Sequence, residues 1–251
     1  MNSFVKPGKN KNKKRGLIVL ITFVISFLTL PFLAYPLSYP PSATAKVAYQ
    51  NARQGQGYYA FENANTDIGF IYYPGGLVDP LAYASFAQSL AESLTINVYV
   101  VQPFLNLAIT SIEAATPIME THAEIETWML GGHSLGGSSA AFYAIDHLTD
   151  IAGLIFLASY TTANADFSQT TLPILSITGS EDKVLNLETY EVAKAFLPNQ
   201  TIYFDIPGGN HSQFGDYGFQ RGDGEATISQ EIQFALMIQV IQVWLLATIR
   251  S

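Results

Sequence analysis

The sequence predicts an α/β protein with a mostly parallel central sheet of at least six strands and helices on both faces. Short apolar runs recur along the chain without the polar alternation of a half-exposed strand, which is typical of strands buried on both faces. Longer helical stretches separate these runs, as parallel strands require. The chain has 251 residues, 49% of them hydrophobic, so it is long enough to bury one sizeable core.

The expected strands are 68–73, 96–101, 127–130, 153–157, 174–178 and 202–206. The expected helices are 81–93, 112–121, 135–147, 187–196 and 229–249. Asp79 and Pro80 support the start of the first helix, because a capping carboxylate and a proline are both favoured there. Gln233, Gln239 and Gln242 interrupt the apolar surface of the last helix. We therefore interpret it as a helix that covers the core rather than as a second membrane span.

The N-terminal region differs in composition from the rest of the chain. Residues 1–16 contain six Lys or Arg and no acid, and residues 17–37 carry no charge. As a helix, these 21 uncharged residues would span about 30 Å, the hydrocarbon thickness of a bilayer. We expect a basic cytoplasmic tail (1–16), a transmembrane signal anchor (17–37), a spacer rich in Pro, Ser and Ala (38–50) and an extracytoplasmic domain (51–251).

A secreted form, cleaved as a signal peptide near Ala45, stays an alternative to the single-pass anchor in the cell membrane. The sequence around Ala45 is Ala43-Thr44-Ala45, which fits the small-residue pattern of a cleavage site. The apolar run is longer than the core of an ordinary signal peptide, and this length favours the anchor.

Charge and cysteine content exclude several function classes. Beyond the basic tail the chain has 6 basic and 20 acidic residues, a formal net charge of −14. A domain this acidic repels nucleic acid, so no nucleic-acid partner is expected. The chain has no cysteine, which excludes disulfides, a thiol nucleophile and a cysteine-ligated metal.

A nucleophilic serine is predicted at position 134. The run Gly132-His133-Ser134-Leu135-Gly136 fits the pattern G-x-S-x-G between an expected strand and an expected helix. This pattern holds the serine at a tight, strained turn where side chains two positions away would clash. The helix N-terminus would also favour negative charge that develops near the serine. A packed turn without chemistry is the alternative interpretation.

A serine hydroxyl needs a base to accept its proton. Of the four histidines, His211 lies in a glycine-rich loop directly after the last expected strand. Loops at the carboxyl ends of parallel strands are where sites in open α/β sheets assemble, so His211 is the predicted base. Asp182, in the loop after the strand 174–178, is the predicted acid that orients it, and Glu181 is the alternative.

An oxyanion hole and a substrate pocket complete the predicted site. The amide of Leu135 follows the nucleophile directly, and Gly75 or Gly76 after the strand 68–73 offers a second amide. The side chains expected to line the pocket are Phe104, Asn106, Phe214 and Tyr217.

These segments resemble the α/β-hydrolase superfamily, and within it the branch related to dienelactone hydrolase. The resemblance covers about residues 68–228 and rests on "YPGGLVDPLAYASFAQSLAE", "GGHSLGG", "TGSEDKV" and "GGNHSQFGDYGFQRGDGEATIS". It implies a nucleophile at Ser134, an acid at Asp182, a base at His211, and no metal or organic cofactor. Dienelactone hydrolase itself uses a cysteine, so its lactone specificity is not carried over. Only about fifteen residues separate the strands 153–157 and 174–178, too few for a cap domain.

The function expected from these observations is that of an extracytoplasmic serine hydrolase of carboxylesterase type. It would cleave carboxylic esters or related acyl compounds through a Ser-His-Asp triad and an acyl-enzyme. The expected partners are a small-molecule ester or acyl substrate and, through the N-terminal helix, the membrane. Two alternatives stay open: an acyltransferase that uses the same triad, and a non-catalytic cell-surface binding module on the same fold.

Overall fold

The computed structural model of the protein describes residues 38–248. These residues form a sheet of eight strands in the order β1-β2-β4-β3-β5-β6-β7-β8. Strands β3 to β8 are parallel, whereas β2 pairs antiparallel with both β1 and β4. The strands are β1 (Arg53–Gln54), β2 (Tyr58–Phe61), β3 (Ile68–Tyr73), β4 (Asn97–Val101), β5 (Thr127–His133), β6 (Gly153–Leu157), β7 (Ile174–Gly179) and β8 (Ile202–Ile206).

Six α-helices accompany the sheet in the described region of the chain. They are α1 (Ala43–Tyr49), α2 (Ala84–Leu94), α3 (Ala115–Thr121), α4 (Leu135–Asp146), α5 (Leu187–Ala193) and α6 (Gln230–Thr248). Short 3₁₀ turns precede α2 and α3 and follow α5. The expected mostly parallel sheet with helices is therefore confirmed, and all six expected strands are present. The antiparallel strands β1 and β2, with two and four residues, were not predicted, because such short segments carry little periodic pattern.

The core lies on both faces of the sheet, as the unbroken apolar strands predict. Alternate side chains of a strand point to opposite faces. Phe70 and Tyr72 of β3 pack in one cluster with residues of α2 and α6. Ile71 and Tyr73 pack in a second cluster with residues of α3 and α4. The two edge strands are loosely covered: both residues of β1 are exposed, and most side chains of β8 are exposed or half-buried.

The segment 38–50, expected to be a spacer, packs on the domain from Tyr39 onward. Tyr39 pairs with Val78 in a parallel bridge. Its amide donates to the carbonyl of Leu77 (2.8 Å), and its carbonyl accepts from the amide of Asp79 (3.0 Å). Helix α1 follows, and Ala45 on this helix is fully buried. The expected tail (1–16) and membrane helix (17–37) lie outside the described residues.

Two further features agree with the sequence interpretation. The connection from β6 to β7, residues 158–173, contains no helix or strand, so no cap domain stands on the described sheet. Helix α6 buries Phe234, Met237 and Ile241 in the core. By length and composition alone, its segment Gln230–Ala247 could also cross a membrane, and one third of that segment is buried in the domain.

Candidate active site

Ser134 occupies the turn between β5 and α4 with φ 52° and ψ −124°. This is a left-handed conformation that residues with a Cβ rarely adopt, so the surrounding packing must hold it. A Cβ on Gly132 or on Gly136 would overlap the carbonyl oxygen of Tyr73. A Cβ on Gly137 would lie 2.6 Å from Oγ of Ser159. The glycines around the serine are therefore required by close backbone approach.

Ser159 is a supporting residue that sequence reasoning missed. It is buried directly after β6, and its hydroxyl donates to the carbonyl of Ser134 at 2.6 Å. This bond satisfies the carbonyl of the strained residue and holds the turn against the next strand. Nothing in the sequence marks Ser159, because the contact depends on the neighbouring strands β5 and β6 being in register.

His211 and Asp182 form a buried pair. Nδ1 of His211 lies 2.8 Å from Oδ2 of Asp182, and both side chains are almost completely shielded from solvent. Oδ1 of Asp182 accepts from the amides of Val184 and Leu185, each at 2.8 Å. Both carboxylate oxygens are therefore engaged, and Nε2 of His211 is the nitrogen left for a reacting group. Glu181 is half-buried and contacts Ser180 instead of the histidine.

Helix α6 anchors the loop that carries His211. The amide of Asn210 donates to Oε1 of Gln233, and Nε2 of Gln233 donates to the carbonyl of Asn210, both at 3.0 Å. Gln233 is fully buried, so this pair fixes the backbone directly before His211. Gln233, which interrupts the apolar pattern of α6, therefore holds the loop of His211 in place by two hydrogen bonds.

Asp223 organises the same loop from its other side. Its Oδ2 accepts from the amide and the hydroxyl of Ser212, at 2.7 and 2.5 Å. Its Oδ1 accepts from the amide of Gly224 at 2.8 Å. Asp223 therefore closes the long segment after His211 on itself.

A pocket of about 240 Å³ contains both Ser134 and His211. Its remaining walls come from the start of α4, from the loop after β6 and from the loop after β7. They are Leu135, Ser138, Ala158, Ser159, Tyr160, Val184, Leu185 and Asn186. The structure therefore brings the serine and the histidine of the predicted triad to one cavity, with the aspartate behind the histidine.

Gly76 is the better placed of the two glycines considered for the oxyanion hole. The amide of Gly75 donates to the hydroxyl of Tyr83 at 2.9 Å, so that amide is occupied. A Cβ on Gly76 would lie 3.0 Å from the side chain of Leu135, which puts this glycine beside the residue that follows the nucleophile. Among the described residues, neither the amide of Gly76 nor that of Leu135 donates to another group.

His133 connects the serine turn to the glycine loop beneath the site. Its Nδ1 lies 2.9 Å from the hydroxyl of Tyr83, the same hydroxyl that accepts from Gly75. Burial raises the pKa of Tyr83 well above its usual range, so this residue is a neutral hydroxyl with one proton to donate. Because its oxygen already accepts from Gly75, we assign that proton to the bond with Nδ1 of His133.

His133 is neutral under this assignment. Burial, and after it the nearby His211, lower the pKa of His133 well below its usual range. The two imidazole rings lie 4.4 Å apart between centroids. Nε2 of His133 is buried without a hydrogen-bond partner in the described structure. The residue before Ser134 is therefore an uncharged side chain next to His211.

The four side chains expected to line the pocket lie elsewhere. Phe104 projects into solvent, and Asn106 uses its carbonyl to accept from the amide of Leu77. Phe214 is buried and stacks on His133 with an interplanar angle of 17°, and Tyr217 is buried in the same cluster. The expectation is corrected because the walls come from the loops after β6 and β7, whereas Phe214 and Tyr217 lie behind the imidazole rings.

Within residues 38–248 no group of acidic and histidine side chains could hold a metal ion. His122 is buried and bonds the hydroxyl of Tyr58 at 2.8 Å. The pocket offers a hydroxyl, an imidazole paired with a carboxylate, and two adjacent amides. This set can add an oxygen nucleophile to a carbonyl and stabilise the resulting oxyanion.

A family model described as the alpha/beta hydrolase family matches residues 69–235 of the chain. A comparison with curated protein sequences gave no significant match.

Several solved structures share the fold. A predicted CIB-like hydrolase from Thermoplasma acidophilum superposes with a TM-score of 0.58 at 11% identity, covering 76% of this chain and 96% of its own. The butyrate-bound esterase Est2 from Thermogutta terrifontis gives 0.54 at 13% identity, with 76% and 88% covered. A membrane phospholipase A, a bacterial virulence factor, gives 0.61 at 13% identity and covers 96% of this chain and 100% of its own. None of these matches singles out the dienelactone hydrolase branch, which stays a prediction.

Proposed function

The chain belongs to the alpha/beta hydrolase family, and from that premise we propose that it is an extracytoplasmic serine hydrolase of carboxylic esters or related acyl compounds. The observation that carries this proposal is the 2.8 Å bond from His211 to Asp182, at a pocket that His211 shares with Ser134. This arrangement provides the nucleophile, base and acid of an acyl-transfer site. Esterases among the structures with this fold support the ester as the substrate class.

The first half of the reaction forms an acyl-enzyme. Nε2 of His211 accepts the proton of Ser134 while Oγ adds to the ester carbonyl, and the bond with Asp182 stabilises the imidazolium. Collapse of the tetrahedral adduct breaks the bond from the carbonyl carbon to the alkoxy oxygen. His211 returns the proton to that oxygen, and the alcohol leaves.

The amides of Leu135 and Gly76 are the proposed donors to the oxyanion of the tetrahedral adduct. Leu135 is the first residue of α4, so its amide points out of the helix N-terminus, where the helix dipole also favours negative charge. Removing one such donor raises the barrier by roughly 3–4 kcal/mol.

The second half of the reaction releases the acid. Water enters the pocket, His211 accepts a proton from it, and the hydroxide adds to the acyl carbonyl. Ser134 leaves as the alcohol and regains its proton from His211. An acceptor alcohol in place of water would make the same site an acyltransferase, and the product mixture in the presence of an added alcohol distinguishes the two activities.

We place the domain outside the cytoplasm, attached to the membrane by residues 17–37. The basic residues of 1–16 and the uncharged run that follows support this topology. The match to a membrane phospholipase A over 96% of this chain also supports it.

Covalent labelling tests the proposed function. The detergent-solubilised full chain is treated with a fluorophosphonate probe next to Ser134→Ala and, as a matched control, Ser89→Ala on the exposed surface of α2. We expect labelling of the wild type and of Ser89→Ala, and no labelling of Ser134→Ala. Equal labelling of all three proteins, or of none, would contradict the proposal and favour the non-catalytic binding module.

A further inference from the structure

Each of the two walls of the pocket is tied to a residue of the proposed triad. On one side, the hydroxyl of Ser159 donates to the carbonyl of Ser134 at 2.6 Å. The hydroxyl of Ser138, on α4, donates to the carbonyl of Tyr160 at 2.7 Å. These two bonds join the loop after β6 to the nucleophile turn and to the helix that follows it. This wall is therefore fixed relative to Ser134.

The opposite wall, the loop after β7, is tied to the acid. The amides of Val184 and Leu185 both donate to Oδ1 of Asp182, each at 2.8 Å. The wall ends at Asn186, whose side chain caps the start of α5. Because the same carboxylate also bonds His211, this wall cannot shift without moving the base.

The fixed walls enclose a small space. The pocket volume is about 240 Å³, below the ~300–1,000 Å³ of sites that enclose a drug-sized ligand. At roughly 30 Å³ for each water-sized group, this volume holds about eight non-hydrogen atoms. The carbonyl carbon and the two oxygens of an ester leave room for about five more carbon atoms, so an ester the size of ethyl butyrate fills the pocket.

Burial separates the floor of the pocket from its mouth. Ala158 and Leu185 are buried, whereas Tyr160 and Val184 are half-buried and Asn186 is exposed. A substrate chain longer than the pocket therefore passes the half-buried side chains and continues into water. Methylene groups beyond this mouth stay hydrated, so they add no hydrophobic contribution to binding.

The lining of the pocket also selects against charge. Its residues include no Asp, Glu, Lys or Arg, and the carboxylate of Asp182 is engaged behind His211. A charged group on the substrate chain would lose its hydration here without a partner of opposite charge, which is costly. The pocket therefore fits an uncharged chain.

We infer that the substrates are esters of short, uncharged carboxylic acids of about four carbons, and that Val184 and Leu185 set this length. This inference rests on the proposed function. The acyl group stays bonded to Ser134 until water releases it, whereas the alcohol leaves in the first half of the reaction. The pocket shared by Ser134 and His211 is therefore the place of the acyl chain. One ester and one water give one short carboxylic acid and one alcohol.

A series of ethyl esters tests the inferred chain length. The detergent-solubilised full chain is assayed on ethyl acetate, butyrate, hexanoate and octanoate, with kcat/KM referred to the measured free ester concentration. One buried methylene raises kcat/KM about fourfold, equivalent to ~0.8 kcal/mol. We expect a rise of at least roughly fivefold from acetate to butyrate. From hexanoate to octanoate we expect a change of less than about twofold, because the added methylenes stay in water.

Two variants test whether the wall after β7 sets the length. Leu185→Ala frees space for about three more carbon atoms, and Val184→Ala is a milder change at a half-buried position. We expect either variant to raise the ratio of kcat/KM for octanoate over butyrate at least about fourfold. Leu187→Ala is the matched control, because Leu187 is 55% exposed and does not line the pocket. It should leave the ratio unchanged, and circular dichroism verifies the fold of each variant.

Monoethyl succinate tests the selection against charge, since a carboxylate replaces the terminal methyl group of ethyl butyrate. We expect its kcat/KM to be lower than that of ethyl butyrate by roughly tenfold or more, because the buried carboxylate has no partner. A smaller difference overturns the uncharged chain.

The remaining outcomes separate this inference from the proposed function. A smaller rise from acetate to butyrate, or a larger rise from hexanoate to octanoate, overturns the inferred length. An unchanged octanoate-to-butyrate ratio in both folded wall variants overturns the assignment of Val184 and Leu185. In each of these cases Ser134 still reacts with the fluorophosphonate probe, and the proposed function stands. Absence of hydrolysis of every ester together with absent labelling refutes the proposed function, and this inference with it.

Discussion

The hydroxyl of Tyr83 bonds Gly75, which precedes the proposed oxyanion donor Gly76, and His133, which precedes Ser134. Removing this hydroxyl is the most direct test of the proposed oxyanion hole. The hydroxyl accepts from the amide of Gly75 and donates to Nδ1 of His133, each at 2.9 Å. Tyr83 and His133 are completely buried, and Gly75 is buried too. Tyr83→Phe therefore leaves an amide and an imidazole nitrogen without partners in a place that water does not reach.

The expected loss of stability follows from these two orphaned groups. A buried polar group that loses its partner costs about 1–3 kcal/mol, so with two such groups the free energy of unfolding should fall by about 2–6 kcal/mol. For a domain of this size, 1 kcal/mol corresponds to about 2–4 °C in Tm. A loss of about 3 kcal/mol would thus lower Tm by roughly 6–12 °C.

The expected effect on catalysis comes from the residue next to Gly75. Once Gly75 is released, the amide of Gly76 loses its fixed position, and a fraction of the roughly 3–4 kcal/mol that one oxyanion donor provides is lost. We expect kcat on a soluble ester to fall about 10- to 100-fold. KM should change little, because an oxyanion donor acts mainly in the transition state.

Tyr72→Phe is the matched control. Tyr72 is buried in the same cluster, its ring centroid is 5.0 Å from that of Tyr83, and its hydroxyl has no hydrogen-bond partner among the described residues. Removing that hydroxyl should leave kcat unchanged and should not lower Tm. The reasoning is refuted if Tyr83→Phe loses stability but keeps its kcat, since Tyr83 would then support the fold without positioning the oxyanion donor.

Three further predictions concern the base and its support. Asp182→Asn should keep the fold and lower kcat by about 10⁴-fold, because the amide favours the wrong histidine tautomer; a decrease below tenfold in steady-state assays contradicts the assigned acid. Gln233→Leu removes the partner of the amide and the carbonyl of Asn210. The free energy of unfolding in urea should therefore fall by about 1–3 kcal/mol, and kcat should also fall. An unchanged kcat would show that the loop before His211 needs no anchor. The folded-state pKa of His133 lies below its unfolded value, so its contribution to stability is complete above the unfolded pKa of about 6.5. It falls by about 1.4 kcal/mol per pH unit as the pH drops below that value; urea titrations should show this extra slope in the wild type and not in His133→Gln.

The order of the secondary structure could be predicted from local pattern. Apolar runs identify the six parallel strands. Strands β3 to β7 are buried at nearly every position, as expected of strands covered on both faces, whereas the edge strand β8 is mostly exposed or half-buried. The short strands β1 and β2 and helix α1 carry too few residues for such a pattern. Their formation depends on the edge that β4 offers and on the surface of α2 against which α1 packs.

That Ser134 and His211 meet at one pocket could also be predicted from sequence, since their positions depend on which loops leave the carboxyl edge of the sheet. The choice between Gly75 and Gly76 could not, because the two glycines are equivalent in sequence. In sequence, Asp182 is preferred over the neighbouring Glu181 for its position further into the loop. The hydroxyl of Tyr83, in the turn before α2, accepts a hydrogen bond from the amide of Gly75. Of the two carboxylates, only that of Asp182 reaches the imidazole of His211.

The sequence by itself determined the fold class, and it predicted the turn of Ser134 and the loop of His211, because each of these depends on the pattern of residues within short stretches of the chain. The tertiary structure alone decided the walls of the pocket and the supports of the site. Ser159, Gln233 and Tyr83 act on groups that are 25, 23 and 8 positions away along the chain. Such contacts depend on how strands and helices are stacked, and no local pattern of residues records that stacking.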